Sequence, residues 1–369
     1  MRILYLYPIM VELGGTERVF TQKMNMLAVH GGYEVFFLTY NQGSHPLPFQ
    51  LNEKVHHEDL EVFTYIQYQY NGLRRLWEHV KRKRLLRERL SAKVREIRPD
   101  IMITSTAGDF PLLCQCKEHR ASVIVESHAG YHQLVDYTAM SIWNRMDRHR
   151  RYRWLRRVDS IVVLTEADAK RWRKHYPQVS VISNIVNLNT TGRYSTQKNK
   201  RIIFAGRLAP IKGITELATV WKLVYQRHPD WQLDVFGNGD DTELQSVPGV
   251  HVHAAVPDVI PYYCDSSIFL LTSREEPFGL VMPEAMSCGL PVVAFDTDGS
   301  SCIITDGEDG FIVKNRDCEA FARHVCHLIE DEELRRRMGQ RAIASAQRYS
   351  IHNIISQWES LFESLVAKK

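Results

Sequence analysis

Long apolar runs are missing from this chain of 369 residues. None approaches the ~18 consecutive apolar residues that a membrane-spanning helix needs. The opening MRILYLYP carries one arginine and a short apolar run broken by Pro8. That pattern predicts a first strand and not a secretory leader. Cysteine is present without arrangement. The seven are scattered, the number is odd, and only Cys114 and Cys116 stand close together. No zinc or redox spacing results, so free thiols in a reducing compartment are expected. Strong charge imbalance is absent as well. A net charge of +4 does not suggest nucleic-acid binding, and no RNA- or DNA-binding motif accompanies the basic stretches. The expectation is a cytoplasmic protein, soluble or held at the inner face of the membrane.

With 44% hydrophobic and 24% charged residues, the composition is that of an ordinary globular protein. The chain is too long for one core of typical size, so two domains are expected.

The densest stretch is Thr272 to Val293, TSREEPFGLVMPEAMSCGLPVV. It reads as loop, short helix, glycine stop and buried strand. Glu276 and Glu284 are separated by seven residues, with a Pro277–Phe278–Gly279 turn between them. A turn that opens a helix offers free N–H groups and the positive end of the helix dipole, which suits an anion. Here those donors lie near Gly279, Leu280 and Val281. Backbone would hold a phosphate, and the carboxylates would be left for hydroxyls. Phosphate plus polyol describes a nucleotide sugar. On spacing alone, a surface helix with two solvated glutamates fits equally well.

Ser273 to Val292 resembles the E-x7-E signature of retaining GT-B glycosyltransferases of family 4, the glycosyl transferases group 1. The resemblance implies that Glu276 contacts donor-sugar hydroxyls and Glu284 the ribose. It also implies that Leu280 and Val281 offer N–H groups to the diphosphate. It covers most of the chain, specifically from 201 to 300 and loosely before 120.

In chain order, β-strands are expected at Arg2–Tyr7, Tyr33–Tyr40 and, less clearly, within Val55–Tyr65. Further strands are expected at Ile101–Thr104, Val123–Glu126, Asp159–Thr165 and Val179–Asn184. After the first strand, Leu13-Gly14-Gly15 opens a helix, the architecture of a phosphate loop, although a plain tight turn also fits. The resemblance puts Gly14 and Gly15 near the donor phosphates and the acceptor. His128 follows a strand's carboxyl end, where open α/β sheets bind ligands. By itself it reads as an ordinary loop histidine; by resemblance it faces the donor sugar.

The polar segment 187–200 marks the domain boundary, and an α/β pattern restarts at Arg201. Gly206 to Gly213 holds Arg207 and Lys212, five residues apart on one loop. Two cations there could neutralise a departing diphosphate, or be plain surface. The family pattern G-R-x-x-x-x-K-G matches them and favours the first reading. Gly237-Asn238-Gly239 resembles the family's turn near the nucleotide base, and a hairpin-like turn fits too. Ala254 stands where the family usually has glycine, which leaves the base open. Asp296-Thr297-Asp298 looks like a metal-binding D-x-D, but the family has a loop and no metal there. It reads as a strand-end turn, continued as loop through Ser301. A stripe of Ile351, Ile354, Ile355, Trp358, Leu361, Phe362 and Leu365 predicts a packed last helix.

Two basic blocks stand out: the helical pattern Leu73–Arg98 and residues 145–157, with Trp143, Tyr152, Trp154 and Trp172 nearby. They read either as solvated helix faces or as surfaces for peripheral association with anionic membrane.

The resemblance thus implies two Rossmann-like, doubly wound α/β domains facing across a cleft. Residues 1–190 would bind the acceptor and 191–350 the nucleotide sugar, with 351–369 crossing back as a helix. The implied reaction moves a sugar from a nucleotide-diphosphate donor, commonly UDP-linked, to a glycan or lipid-linked glycan acceptor. Polysaccharide or lipopolysaccharide assembly is the usual setting, and neither cofactor nor metal is implied. The acceptor would attack the face that the leaving group vacates, with a phosphate oxygen as base. No side chain is positioned by sequence alone as a nucleophile, and Glu276 is the one candidate. Two rivals on the same fold are a non-catalytic nucleotide-sugar binder and a sugar-nucleotide epimerase.

Overall fold

The computed structural model describes residues 1–11, 14–106, 108–118, 120–131, 145–146, 149 and 152–368. Leu13, Trp143 and part of the second basic block lie outside them. Two compact units result: Met1–Ile185 with Ile354–Lys369, and Val186–Asn353.

The first unit holds a seven-stranded sheet. Its strands are β1 (Arg2–Leu6), β2 (Glu34–Thr39), β3 (Val55–Asp59), β4 (Ile101–Ser105), β5 (Ser122–Glu126), β6 (Ser160–Val163) and β7 (Val179–Val181). Their order is β3-β2-β1-β4-β5-β6-β7, and every pairing is parallel. Both faces are covered, which explains why the strands read as continuous apolar runs. Along β1 the alternation separates two cores: Ile3 and Tyr5 face one, Leu4 and Leu6 the other.

The Ile3 face is covered by the first helix, Gly15–Val29, and by the last, Ile351–Ala367. Ile354, Ile355, Trp358, Phe362 and Leu365 of the last helix are buried in that core, so it does cross back onto the first unit. Ile351 is exposed, which trims the predicted stripe at its start.

The second unit repeats the plan with β8 (Arg201–Ala205), β9 (Gln232–Phe236), β10 (Val250–His253), β11 (Ile268–Leu271), β12 (Val292–Phe295) and β13 (Gly310–Val313). Their order is β10-β9-β8-β11-β12-β13, again all parallel. The polar segment 187–200, read from sequence as the boundary, is tied into this unit. Asn189 N–H donates to Ser287 Oγ at 2.9 Å, and Arg335 reaches the Gln197 carbonyl at 2.8 Å.

In each sheet the strand order reverses once, between β1 and β4 and between β8 and β11. Ligands of open α/β sheets bind outside the carboxyl ends of strands at such a point. The loops that matter therefore follow β1, β8 and β11.

Two sequence expectations are corrected, and one strand is added. Residues Asp298–Ile303 form a helix, not a loop. Thr297 and Ser300 cap it reciprocally, so this capping box overrides the weak helix propensity of Gly299-Ser300-Ser301. Gly237-Asn238-Gly239 is not a hairpin turn, because β9 and β10 run parallel. The stretch 252–263 contains the end of a short strand, β10, which the sequence reading had not assigned.

All seven cysteines are free. Burial pushes the Cys114 thiol up to about 11. Among the described residues, no helix is long and apolar enough to cross a membrane.

Candidate functional site

In the second unit, the loops after β8 and β11 are stitched together at the switch point. Arg274 N–H donates to the Ile211 carbonyl at 2.9 Å, and Thr272 Oγ1 donates to the Lys212 carbonyl at 3.1 Å. Arg274 also makes a fork to Glu216, with Nε and one terminal nitrogen at 2.8 and 3.0 Å. Gly213 lets the two loops approach. Its φ is 69°, and an added Cβ would fall 1.9 Å from the Thr272 carbonyl oxygen. Gly213→Ala should cost well over 1 kcal/mol, beyond the ~1 kcal/mol of an ordinary Gly/Ala exchange. A denaturant melt of the purified variant checks this.

The stitching brings Lys212 to Glu276. Lys212 Nζ lies 2.6 Å from Glu276 Oε2, with their side chains 21% and 8% exposed. Ser273 Oγ donates to the same oxygen at 3.3 Å. The Glu276 carbonyl is fixed too, accepting the Gly299 N–H at 2.8 Å. The cation expected to meet phosphate and the carboxylate expected to meet sugar are thus direct partners. A mostly buried ammonium beside a buried carboxylate can both neutralise an anion and orient a hydroxyl.

Gly279 forms the turn before the motif helix, Val281–Ser287, with Leu280 as its N-cap. Met282 N–H bonds back to the Gly279 carbonyl at 3.0 Å, and the N–H groups of Leu280 and Val281 lie ahead of the first helical turn, where no intrahelical acceptor precedes them. Glu284 lies in its first turn and is buried. Arg207 is exposed on the neighbouring loop after β8. Gly237 packs against that loop: a Cβ there would fall 1.9 Å from the Gly206 carbonyl oxygen. Leu208 and Asn238 join the two loops by a backbone bond of 2.9 Å. Gly237 therefore has an internal packing role that the sequence reading did not include. The Asp296–Asp298 stretch is absorbed locally. Asp296 accepts from Ser301 Oγ at 2.5 Å, and Thr297 caps the helix that starts at Asp298.

The first unit contributes a separate group. Gly14 precedes the first helix with φ −89° and ψ 161°, and a Cβ on Gly15 would meet nothing within 4 Å. Among the described residues, no packing demands glycine at 15. At the end of β5, Glu126 accepts from buried Lys23 of the first helix, and His128 Nε2 lies 3.1 Å from the same Oε2. The Lys23 ammonium stands 4.5 Å from the Trp358 ring centre and 4.9 Å from that of Phe20. Glu126 Oε1 and the Tyr5 hydroxyl are buried with no hydrogen-bond partner among the described residues. Burial alone would push the Glu126 carboxyl up, but Lys23 and the His128 hydrogen bond more than offset this and hold it below its ordinary value. Burial also pulls Lys23 down from the ordinary lysine value, against the attraction of Glu126.

The sequence reading named His128 but missed Lys23, Glu126, Glu216 and Arg274. Lys23 and Glu126 are 103 positions apart, so no local pattern could pair them.

Two doubly wound, all-parallel sheets, each with its strand order reversing once, are the domain plan of the GT-B fold. The family models agree. Residues 13–190 match "Glycosyltransferase Family 4" and residues 199–331 match "Glycosyl transferases group 1". An uncharacterized glycosyltransferase of Haemophilus influenzae is 30% identical over 361 residues, 94% of this chain and 96% of that protein. This chain belongs to the family 4 glycosyltransferases, and it is a transferase enzyme. An exopolysaccharide phosphotransferase of Streptomyces coelicolor is 32% identical over 75% of this chain, which spans only 30% of that longer protein. Among solved structures, a TarM variant of S. aureus in complex with fondaparinux, alpha-GlcNAc-glycerol and UDP superposes with TM-score 0.76. It shares 14% identity over 98% of this chain and 99% of that one.

Proposed function

We propose that the protein is a retaining glycosyltransferase that moves a sugar from a UDP-linked donor to a hydroxyl of a cell-surface glycan or lipid-linked glycan. The observation that carries this reading is the Lys212–Glu276 pair, 2.6 Å apart where two loops meet at the second unit's switch point. Lys212 and Arg207 would take charge from the departing diphosphate, together with the N–H groups at Leu280 and Val281. Glu276, released by Lys212, would accept from hydroxyls of the donor sugar. Glu284 would hold the ribose. His128, oriented by Glu126, is the first unit's candidate for contact with sugar, and Gly14 and Gly15 would let phosphate or acceptor approach the backbone.

The UDP assignment is supported by the UDP complex of the TarM variant. The cell-surface setting is supported by the exopolysaccharide enzyme of S. coelicolor. Attack on the face that the nucleotide vacates keeps the anomeric configuration, with a donor phosphate oxygen taking the acceptor proton. No metal is required in this scheme.

Proton NMR of the first-formed product tests it. An α-linked donor should give an α-linked glycoside, with nucleotide released in equal amount. A β product would overturn the retaining assignment. An epimerised donor formed without acceptor would replace transfer by isomerisation.

A further inference from the structure

The basic helix Gly72–Ile97 changes character along its length. In its second half Leu86, Leu90, Val94 and Ile97 are buried, as in any surface helix. In its first half the amphipathicity is inverted. Leu73, Leu76, Trp77 and Val80 recur at i, i+3, i+4 and i+7, and all four face solvent, Leu73 at 86% exposure and Trp77 at 60%. The group turned inward is Glu78, 3.3 Å from Arg82, whose guanidinium in turn donates to the Val62 carbonyl at 2.8 Å. The preceding 3-10 turn, Thr64–Gln69, adds exposed Tyr65 and Tyr68 to the same end. A contiguous apolar face left outside a globular unit marks a surface that something covers.

Charge identifies what covers it. Arg74, Arg75, Lys81, Lys83 and Arg84 are exposed beside the stripe, and Glu78 is the only acid between residues 62 and 87. The cations are set against the aromatics: Arg74 is 4.2 Å from the Tyr70 ring centre, Arg75 4.8 Å from that of Tyr68, and Lys81 4.8 Å from that of Trp77. A second copy seated there by two-fold symmetry would bring these cations against their equivalents. Apolar and aromatic side chains rimmed by Lys and Arg fit the boundary of an anionic bilayer, apolar groups in the acyl region and cations among headgroups.

We propose that residues Tyr65 to Arg84 form an interfacial anchor that seats the first unit on an anionic lipid surface. The second basic block, 145–157, lies partly outside the described residues and is not needed for it. The anchor does not depend on the transfer chemistry.

Co-sedimentation with vesicles tests it, since they carry neither donor nor acceptor. The protein should bind vesicles of equal parts phosphatidylglycerol and phosphatidylcholine, fail to bind pure phosphatidylcholine, and release at high salt. Arg74→Gln and Arg75→Gln should each weaken binding about fivefold. Leu76→Ser with Trp77→Ser should weaken it more than about tenfold, with an unchanged melting temperature because both side chains are exposed. Equal binding to both vesicle types, or phosphatidylglycerol binding that none of these variants changes, would overturn the proposal. So would a concentration-dependent dimer in sedimentation velocity that Leu76→Ser with Trp77→Ser abolishes, because the stripe would then be a self-association surface.

Discussion

Lys212→Ala is expected to lower turnover about 100- to 1,000-fold, the effect of removing one preorganised group that meets developing charge. The substitution acts twice. It removes a cation from the departing diphosphate, and it leaves the Glu276 carboxylate without its 2.6 Å partner. The two effects separate by pairing it with Glu276→Gln, which keeps size and hydrogen bonding but removes the charge. Because the residues touch, the double variant should lose less than the product of the two single losses. Steady-state kcat at saturating donor reads this, with the melting temperature as a fold control. A kcat within about twofold of wild type for Lys212→Ala would remove that residue from the catalytic account.

The second large effect is on stability. Lys23→Met leaves the buried Glu126 carboxylate with only its His128 contact, and Glu126→Gln leaves Lys23 as a buried cation without its counter-charge. Breaking a buried pair from one side costs about 3–5 kcal/mol. Replacing both residues together should recover most of that loss, because two neutral side chains need no partner. Glu126→Gln should also slow transfer, since His128 loses the group that fixes its ring. Denaturant midpoints of the two single variants and the double one provide the measurement. Single-variant losses under about 1 kcal/mol would mean that water already reaches the pair.

These two clusters show how far sequence reading reaches. The motif at Thr272–Val293 is a contiguous run, so its turn, helix and strand could be read directly, as could the glycine-bounded loop of Arg207 and Lys212. What the two loops do to each other could not be read, because the Lys212–Glu276 contact joins positions 64 apart. It depends on Gly213 closing against Thr272. Lys23 looked like one more polar residue on a helix, and only the fold puts it under Trp358. The basic helix is the sharpest case. Its charges could be counted in sequence, but the exposure of Leu73, Leu76, Trp77 and Val80 depends on how the helix is rotated. That rotation follows the burial of Leu86, Leu90, Val94 and Ile97 in the second half, with Arg82 donating to the Val62 carbonyl. The helix at Asp298–Ile303 was hidden for a local reason: its glycine and serines favour loops until Thr297 caps them.

A nucleotide-sugar site at the second unit's switch point should make melting depend on nucleotide. The protein is heated with UDP, GDP, ADP or CDP, and with their sugars. Ligand at ~100 times its dissociation constant adds about 2.7 kcal/mol to the native state, a visible shift. The uridine ligands should raise the melting temperature, an effect lost in Glu284→Ala and retained in Trp77→Ser. No shift with any nucleotide, or a uridine shift that survives Glu284→Ala intact, would contradict such a site.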